Sequence, residues 1–199
     1  MPALRALPPE VTWTLGGGTA LALTLNHRVS YDIDVFFETA SALRLLSPQR
    51  NALVRALSDR WQEPGNYLKI EGADGDIDIL VAMTLTEEAT RSFMLDGQAV
   101  AVETPAEILA KKFRYRGSMF QVRDIFDALA IVDGSPTDFA QAVRADPGGA
   151  RRARDRIARI APRYREEIGE AVNPTETGAA LLDRDPMTVV DAITRSLNA

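Results

Sequence analysis

Apolar and polar positions divide the chain into a strand-rich first half and a helical second half. Residues 13–15 form a short apolar run. Gly16, Gly17 and Gly18 follow, and then an Ala/Leu-rich segment, 19–25, that predicts one short helix. A polar turn over 26–30 leads into Asp32-Ile33-Asp34 and the apolar Val35-Phe36-Phe37, a second strand. Leu43, Leu46, Leu53, Val54 and Leu57 have helical spacing over 39–59, with Pro48 starting or kinking the helix. Residues 63–66 predict a turn. Residues 67–71 and 77–81 predict strands joined by a two-residue hairpin at Asp74-Gly75, and 91–102 a second hairpin at Asp96-Gly97. Thr104, Pro105 and Glu107 read as N-cap, first helical position and capping-box partner of a helix reaching about Arg116. Further helices are expected at about 121–132, 137–145, 149–160 and 186–197. Residues 1–10 read as a loop or a poor helix ended by Pro8-Pro9.

The strand at Asp32 carries the chemistry. Side chains two apart on a strand share a face, so Asp32 and Asp34 point together and Ile33 and Val35 point the other way. Adjacent carboxylates repel unless a cation lies between them. A hard cation such as Mg²⁺ takes carboxylate and phosphate oxygens. The preceding glycines allow close backbone approach to a phosphate, and the N–H groups opening a helix favour anions. Gly17, Gly18 and Thr19 are therefore the candidate phosphate cradle, with Asp32 and Asp34 the candidate metal ligands. Asp78 lies between Ile77 and Ile79 in an apolar run, where a carboxylate needs a partner. Asp76 shares its facing and competes with it as the third carboxylate. A P-loop is not supported, because no Lys-Ser/Thr follows the glycines.

Gly17-Gly18-Thr19-Ala20-Leu21, His27-Arg28, Ser30, Asp32-Ile33-Asp34 and Phe36 together resemble the signature of the AbiEii/AbiGii toxin family. These are nucleotidyltransferases of the polymerase-β-like superfamily. The resemblance continues through Glu107-Ile108-Leu109-Ala110-Lys111-Lys112 and Arg123-Asp124-x-x-Asp127. It implies an α+β fold with a mixed sheet flanked by helices and a C-terminal helical part. The nucleotidyltransferase domain would span 1–133 and the helical part 134–199. It implies a catalytic set of Asp32, Asp34, Asp78 and Lys111, with Asp32, Asp34 and Asp78 on Mg²⁺ or Mn²⁺. Gly17, Gly18, Thr19, Arg28, Ser30, Lys112, Arg123, Asp124 and Asp127 would bind the nucleoside triphosphate. Either Lys111 or Lys112 would meet the phosphates. The implied acceptor is RNA, a tRNA 3′ end, and the implied setting a type IV toxin–antitoxin or phage-defence system with a cognate antitoxin. A protein hydroxyl, a small molecule such as an aminoglycoside, or a catalytically silent binding module of the same fold are the alternatives. From spacing alone, Lys111 and Lys112 could be solvated charges, Arg123 and Asp127 a surface pair, and His27 and Arg28 turn residues.

Composition narrows this reading. The 199 residues contain no cysteine and one histidine, which excludes disulfides and thiolate or His-rich zinc sites. No run approaches the ~20 apolar residues of a membrane span, and residues 1–10 do not read as a signal peptide, so a cytoplasmic protein is expected. The net charge of −5 is unevenly spread: −7 over 1–110, +7 over 111–165 and −5 over 166–199. Arg151, Arg152, Arg154, Arg156, Arg159 and Arg163 spread over more than one helix face. The basic middle either faces a polyanion or is a solvated helix surface.

Overall fold

The computed structural model describes residues 2–199. A one-turn helix α1 (Pro2–Arg5) precedes strand β1 (Thr14–Gly16), helix α2 (Gly17–Leu25) and strands β2 (Arg28–Val29) and β3 (Ile33–Phe37). Helices α3 (Ser41–Leu46) and α4 (Ala52–Arg55) follow, then strands β4 (Trp61–Gln62), β5 (Tyr67–Ile70), β6 (Ile77–Val81), β7 (Thr90–Leu95) and β8 (Gln98–Glu103). The remainder is helical: α5 (Pro105–Arg116), α6 (Val122–Gly134), α7 (Pro136–Ala145), α8 (Pro147–Ile160), α9 (Tyr164–Ala171) and α10 (Met187–Asn198), with the short strand β9 (Asn173–Pro174) after α9. Seven strands make one mixed sheet in the order β4-β5-β6-β3-β1-β8-β7, while β2 pairs with β9. β3 lies parallel to β6 and antiparallel to β1. The α+β class, the mixed sheet and the helical C-terminal part are as expected.

Two compact units divide the chain. The first holds the chain up to Ala20 with Tyr31–Thr84 and Ser92–Val102; the second holds Leu21–Ser30, Leu85–Arg91 and Glu103–Ala199. This division differs from one at residue 133, because the helices carrying Lys111 and Asp124 group with the C-terminal helices.

In the first unit, one sheet face packs against α1, α3 and α4. Ile33, Val35 and Phe37 of β3, Leu68 and Ile70 of β5, and Ile77, Ile79 and Val81 of β6 meet Ala3, Leu4, Leu43, Leu46 and Val54. Burying a side chain such as Phe37 contributes roughly 1.5–3 kcal/mol. The alternation that puts these residues inside puts Asp34, Asp78 and Lys69 on the opposite face. The helix expected over 39–59 forms as two pieces. Ser47 is extended (ψ 124°), as the residue before Pro48 must be to avoid its ring, and Asn51 restarts the helix by accepting from Leu53 N and Val54 N. Leu53 and Leu57 are consequently exposed.

The β7–β8 hairpin closes through Asp96 (φ 50°) and Gly97 (φ 74°), two consecutive left-handed residues that match the twist of the paired strands. The expected two-residue turn at Asp74-Gly75 is not made. β5 ends at Ile70 and β6 starts at Ile77, because Asp76 is already occupied: its carbonyl accepts from Ile33 N at 2.8 Å and its carboxylate from Gly72 N.

In the second unit, α5 packs on α7 and α8, and α10 on α6, α7 and α8. Thr104 caps α5, accepting from Glu107 N at 3.3 Å, as read from the sequence. The capping box is not reciprocal. Glu107 turns to Leu85 N, Thr86 N and the Thr86 hydroxyl, leaving Thr104 N to Ala89 O. The acid that does reach back to its cap is Asp124 in α6, which accepts from Gln121 N at 3.1 Å. Helix α9 was not expected, since only Tyr164 and Ile168 supply it with buried apolar residues. Among the described residues no helix is long and apolar enough to cross a membrane.

A Cβ on Gly97 would meet no heavy atom within 4 Å, so only the backbone angle opposes substitution. Gly97→Ala is expected to cost about 1–2 kcal/mol in urea denaturation. An unchanged midpoint would show that the turn relaxes freely.

Candidate active site

In the first unit the strand registers line up a row of residues on the sheet face opposite the aliphatic core. Lys69 lies opposite Asp78, Asp78 opposite Asp34, and Asp34 opposite Gly16, from β5 through β6 and β3 to β1. The expectation that Asp78 stands on a strand neighbouring the Asp32/Asp34 strand is met. Asp32 is exposed just before β3, and Asp34 and Asp78 are half-buried. The next residue after Gly16 is Gly17, which opens α2 with φ +65°; a Cβ there would come within 1.9 Å of Asp34 Oδ2. Glycine is thus required at position 17 both by the backbone angle and by the approach of the Asp34 carboxylate. The Thr19 hydroxyl donates to the backbone carbonyl of Asp32, tying the first turn of α2 to the start of β3. Gly18 lies in that same first turn.

Lys69 was not foreseen in this cluster. Its ammonium lies 2.6 Å from Asp76 Oδ2 and 3.6 Å from Asp78 Oδ1. Period-two alternation alone could have placed it on the carboxylate face of β5, but only the register shows that it meets Asp78. Asp76 N donates to Asp32 Oδ1 at 3.1 Å. The hydrogen bond to Asp76 raises the Lys69 pKa, and the same bond holds Asp76 below the usual carboxylate range. Asp78 behaves oppositely. Burial pushes its pKa up, and the charges of Asp32 and Asp76 add to the rise, while Lys69 opposes it. The two competitors for the third carboxylate therefore differ: Asp76, in the loop before β6, is engaged by Lys69 of β5, and Asp78 faces Asp34 across the strands.

This donor set is excess-anionic, with Asp32, Asp76 and Asp78 all acting on the single ammonium of Lys69. That chemistry fits a hard divalent cation, which commonly takes one or two carboxylates and completes its shell with water and phosphate oxygens. Among the described residues no three acidic or imidazole groups converge tightly enough to hold a metal by themselves.

In the second unit the other candidates gather around Asp127. Its carboxylate has no exposure and accepts four hydrogen bonds. Oδ1 takes His27 Nε2 and Arg28 Nε, both at 2.7 Å; Oδ2 takes Lys112 Nζ at 2.6 Å and an Arg28 terminal nitrogen at 3.1 Å. Lys112 also donates to Asp124 Oδ1 at 2.6 Å, and Arg116 lies 3.6 Å from the same oxygen. His27 stacks on Phe126. Burial works against the charge on all three central groups, but the mutual attraction prevails. Asp127 is held well below the usual range, Asp124 below it, and Lys112 above its own. The reading of Arg28 as a turn residue and of Asp127 as half of a surface pair with Arg123 therefore fails: Arg28 is bidentate on Asp127, while Arg123 is exposed on α6.

Lys111 and Lys112 point to different partners. Lys111 is buried and donates to Glu103 at 2.5 Å, with Glu107 at 3.5 Å. Neither glutamate was a candidate, although Glu107 and Lys111 have the four-residue spacing of a helical ion pair. Ser30 is half-buried just beyond β2.

A family model described as nucleotidyl transferase AbiEii toxin, type IV toxin–antitoxin system, matches residues 3–184. A crystal structure from H. pylori assigned as a nucleotidyltransferase superposes with a TM-score of 0.53 at 16% identity, covering 98% of this chain and 87% of that one. At that identity the likeness speaks for the fold. No protein of curated function matches the sequence.

Removing the Asp127 charge strands buried cations, so Asp127→Asn is expected to cost about 3–5 kcal/mol at neutral pH. Because the folded pKa lies below the ordinary 3.8, the contribution is present above that pH and is lost as pH falls through the folded value. Urea midpoints measured against pH should therefore drop for the native chain on acidification below about pH 4, with a shallower slope for the variant. Equal stability of the two at pH 7 would refute the role given to this network.

Proposed function

The chain belongs to the AbiEii nucleotidyltransferase toxin family of type IV toxin–antitoxin systems, and on that premise we propose that it transfers a nucleotidyl group from a nucleoside triphosphate to RNA, with a tRNA 3′ end as the acceptor. Family membership makes it a nucleotidyltransferase and implies a cognate antitoxin. The observation that supports transfer from a metal-held triphosphate is the row Gly16–Asp34–Asp78 beside Gly17, which sets a glycine helix start against two carboxylates on adjacent strands; the RNA acceptor rests on the family signature.

In nucleotidyl transfer an acceptor hydroxyl oxygen bonds to the α-phosphorus, the bond to the bridging oxygen breaks, and pyrophosphate leaves. Gly17, Gly18 and Thr19 would hold phosphate oxygens through the N–H groups that open α2. Asp32, Asp34 and Asp78 would hold Mg²⁺ or Mn²⁺. Such a cation, when bound, neutralises triphosphate charge and polarises the reacting phosphoryl group. Asp78, on the strand beside Asp34, would help activate the acceptor's hydroxyl, either through the cation or as the base that takes the hydroxyl proton.

Lys112, Arg28, Asp124 and Asp127, which the family signature would put on the nucleotide, form a closed network. Their charges satisfy one another inside the second unit, and a phosphate reaching Lys112 would have to displace a carboxylate. Lys111 carries the same constraint through Glu103. Arg123 and Ser30, by contrast, retain access to solvent.

The test is incubation of the chain with each labelled nucleoside triphosphate, Mg²⁺ and total RNA. Label should enter RNA from one or more nucleotides. Asp32→Asn and Asp34→Asn should each lower transfer by at least roughly a hundredfold. Asp32→Asn keeps an oxygen to accept from Asp76 N while relieving repulsion, so its melting temperature should stay level or rise. Full activity in either variant, or label entering protein and not RNA, would overturn the reading.

A further inference from the structure

The second unit contains a groove of about 390 Å³ outside the Asp127 network. It is lined by Arg123 at the start of α6, Arg156 and Ile160 of α8, Arg163, Glu167 of α9 and Val122. Three guanidinium groups and one carboxylate thus surround a pocket with an aliphatic floor. Arg163 spends its charge on Glu167, 3.4 Å away on the same helical surface. Arg156 is fixed by donating its Nε–H to the Phe120 carbonyl, which leaves its terminal nitrogens for another acceptor. Among the described residues neither Arg123 nor Arg156 forms an ion pair. The lone internal acid is already matched, so the groove presents uncompensated positive charge.

Guanidinium forks match phosphate oxygens in a bidentate way, and an aliphatic floor takes a sugar or the face of a base. The volume accommodates about one nucleotide unit. We infer that this groove binds the phosphate backbone of single-stranded RNA, holding one or two phosphodiesters on Arg123 and Arg156. The inference rests on the reading of RNA as acceptor and gives that acceptor an anchoring site. An acidic protein segment would meet the same arginines, but the aliphatic side chains of Val122 and Ile160 beside the two guanidinium groups suit a sugar or base next to a phosphate, which favours the phosphodiester.

Binding of a fluorescein-labelled oligouridylate of about 12 nucleotides to the full chain tests it. Arg123→Gln/Arg156→Gln should weaken binding roughly tenfold and reduce the salt slope of log K by about 1.4, two phosphates at roughly 0.7 each. Arg123→Gln alone, an exposed change that leaves the Phe120 contact intact, should give about a threefold loss with an unchanged melting temperature, and serves if the double variant misfolds. Unchanged affinity in Arg123→Gln, or poly-glutamate bound as tightly as RNA through the same residues, would overturn the proposal. If groove-dependent RNA binding persists while no nucleotide is transferred to RNA, the groove stands and the catalytic reading fails.

Discussion

A carboxylate removed from water loses several kcal/mol of hydration unless cations and hydrogen bonds replace it. Asp127 meets that demand with His27, Arg28 and Lys112, which fill all four acceptor positions of its two oxygens. The requirement reaches well beyond the side chain. Arg28 can be bidentate only if β2 is held in place, and β2 is held by β9, by Thr175 N on the His27 carbonyl at 3.2 Å and by the Thr175 hydroxyl on the Asn26 carbonyl. Asn26 itself takes φ 48°, a left-handed turn that asparagine tolerates after a helix end. A segment near residue 175 therefore fixes two residues near 27. A well-packed apolar substitute for such a network is often as stable. What the charges supply is a single allowed arrangement of β2, α5 and α6, because any slip leaves an unpaired ion in the interior.

The first unit solves a different electrostatic problem. Parallel pairing of β3 with β6 sets Asp34 against Asp78, and two half-buried carboxylates on neighbouring strands repel. One lysine, Lys69, is the internal answer, and it divides its attention between Asp76 and Asp78. The effect is asymmetric: Asp76 gains a hydrogen bond and stays easily ionised, whereas Asp78 is left with burial and two acidic neighbours. The opposite face of the same strands carries only aliphatic and aromatic packing. Strand alternation thus separates stability from chemistry in one element, with Ile33, Val35 and Phe37 holding the strand through the core and Asp34 set on the other face against Gly17.

What could be read from the sequence is what depends on short-range physics. The glycine turn, α2, the alternation in β3, the Asp96-Gly97 hairpin and the Thr104 cap are all set by neighbours within a few residues, and each is found where expected. Most of the misreadings share a cause, a partner distant in sequence; the break at Pro48 is a local one. Strands β2, β4 and β9 have two residues each and exist only through pairing. Glu107 had the right spacing for a capping box but bonds to Leu85 and Thr86 because that loop reaches it. Arg123 and Asp127 suggested a surface pair four residues apart, yet α6 turns them to different environments. The family signature placed Arg28, Lys112, Asp124 and Asp127 in one functional set. It could not reveal that they bond to one another.

Segment charge illustrates the same limit. The +7 over residues 111–165 suggested a basic surface, but a charge sum counts ions regardless of where they point. Lys111 and Lys112 are held on carboxylates, Arg116 lies beside Asp124, and Arg154 donates twice to one oxygen of Asp155. These cations contribute little field at a distance, since each is offset within a few Å. The outward positive charge comes from fewer residues, among them Arg151, Arg152 and Arg159, which α8 exposes while turning Ala150, Ala153, Ile157 and Ile160 inward. Helical periodicity, which predicts the helix at 149–160, is also what sorts its arginines into those that can meet an anion in solvent and those that cannot.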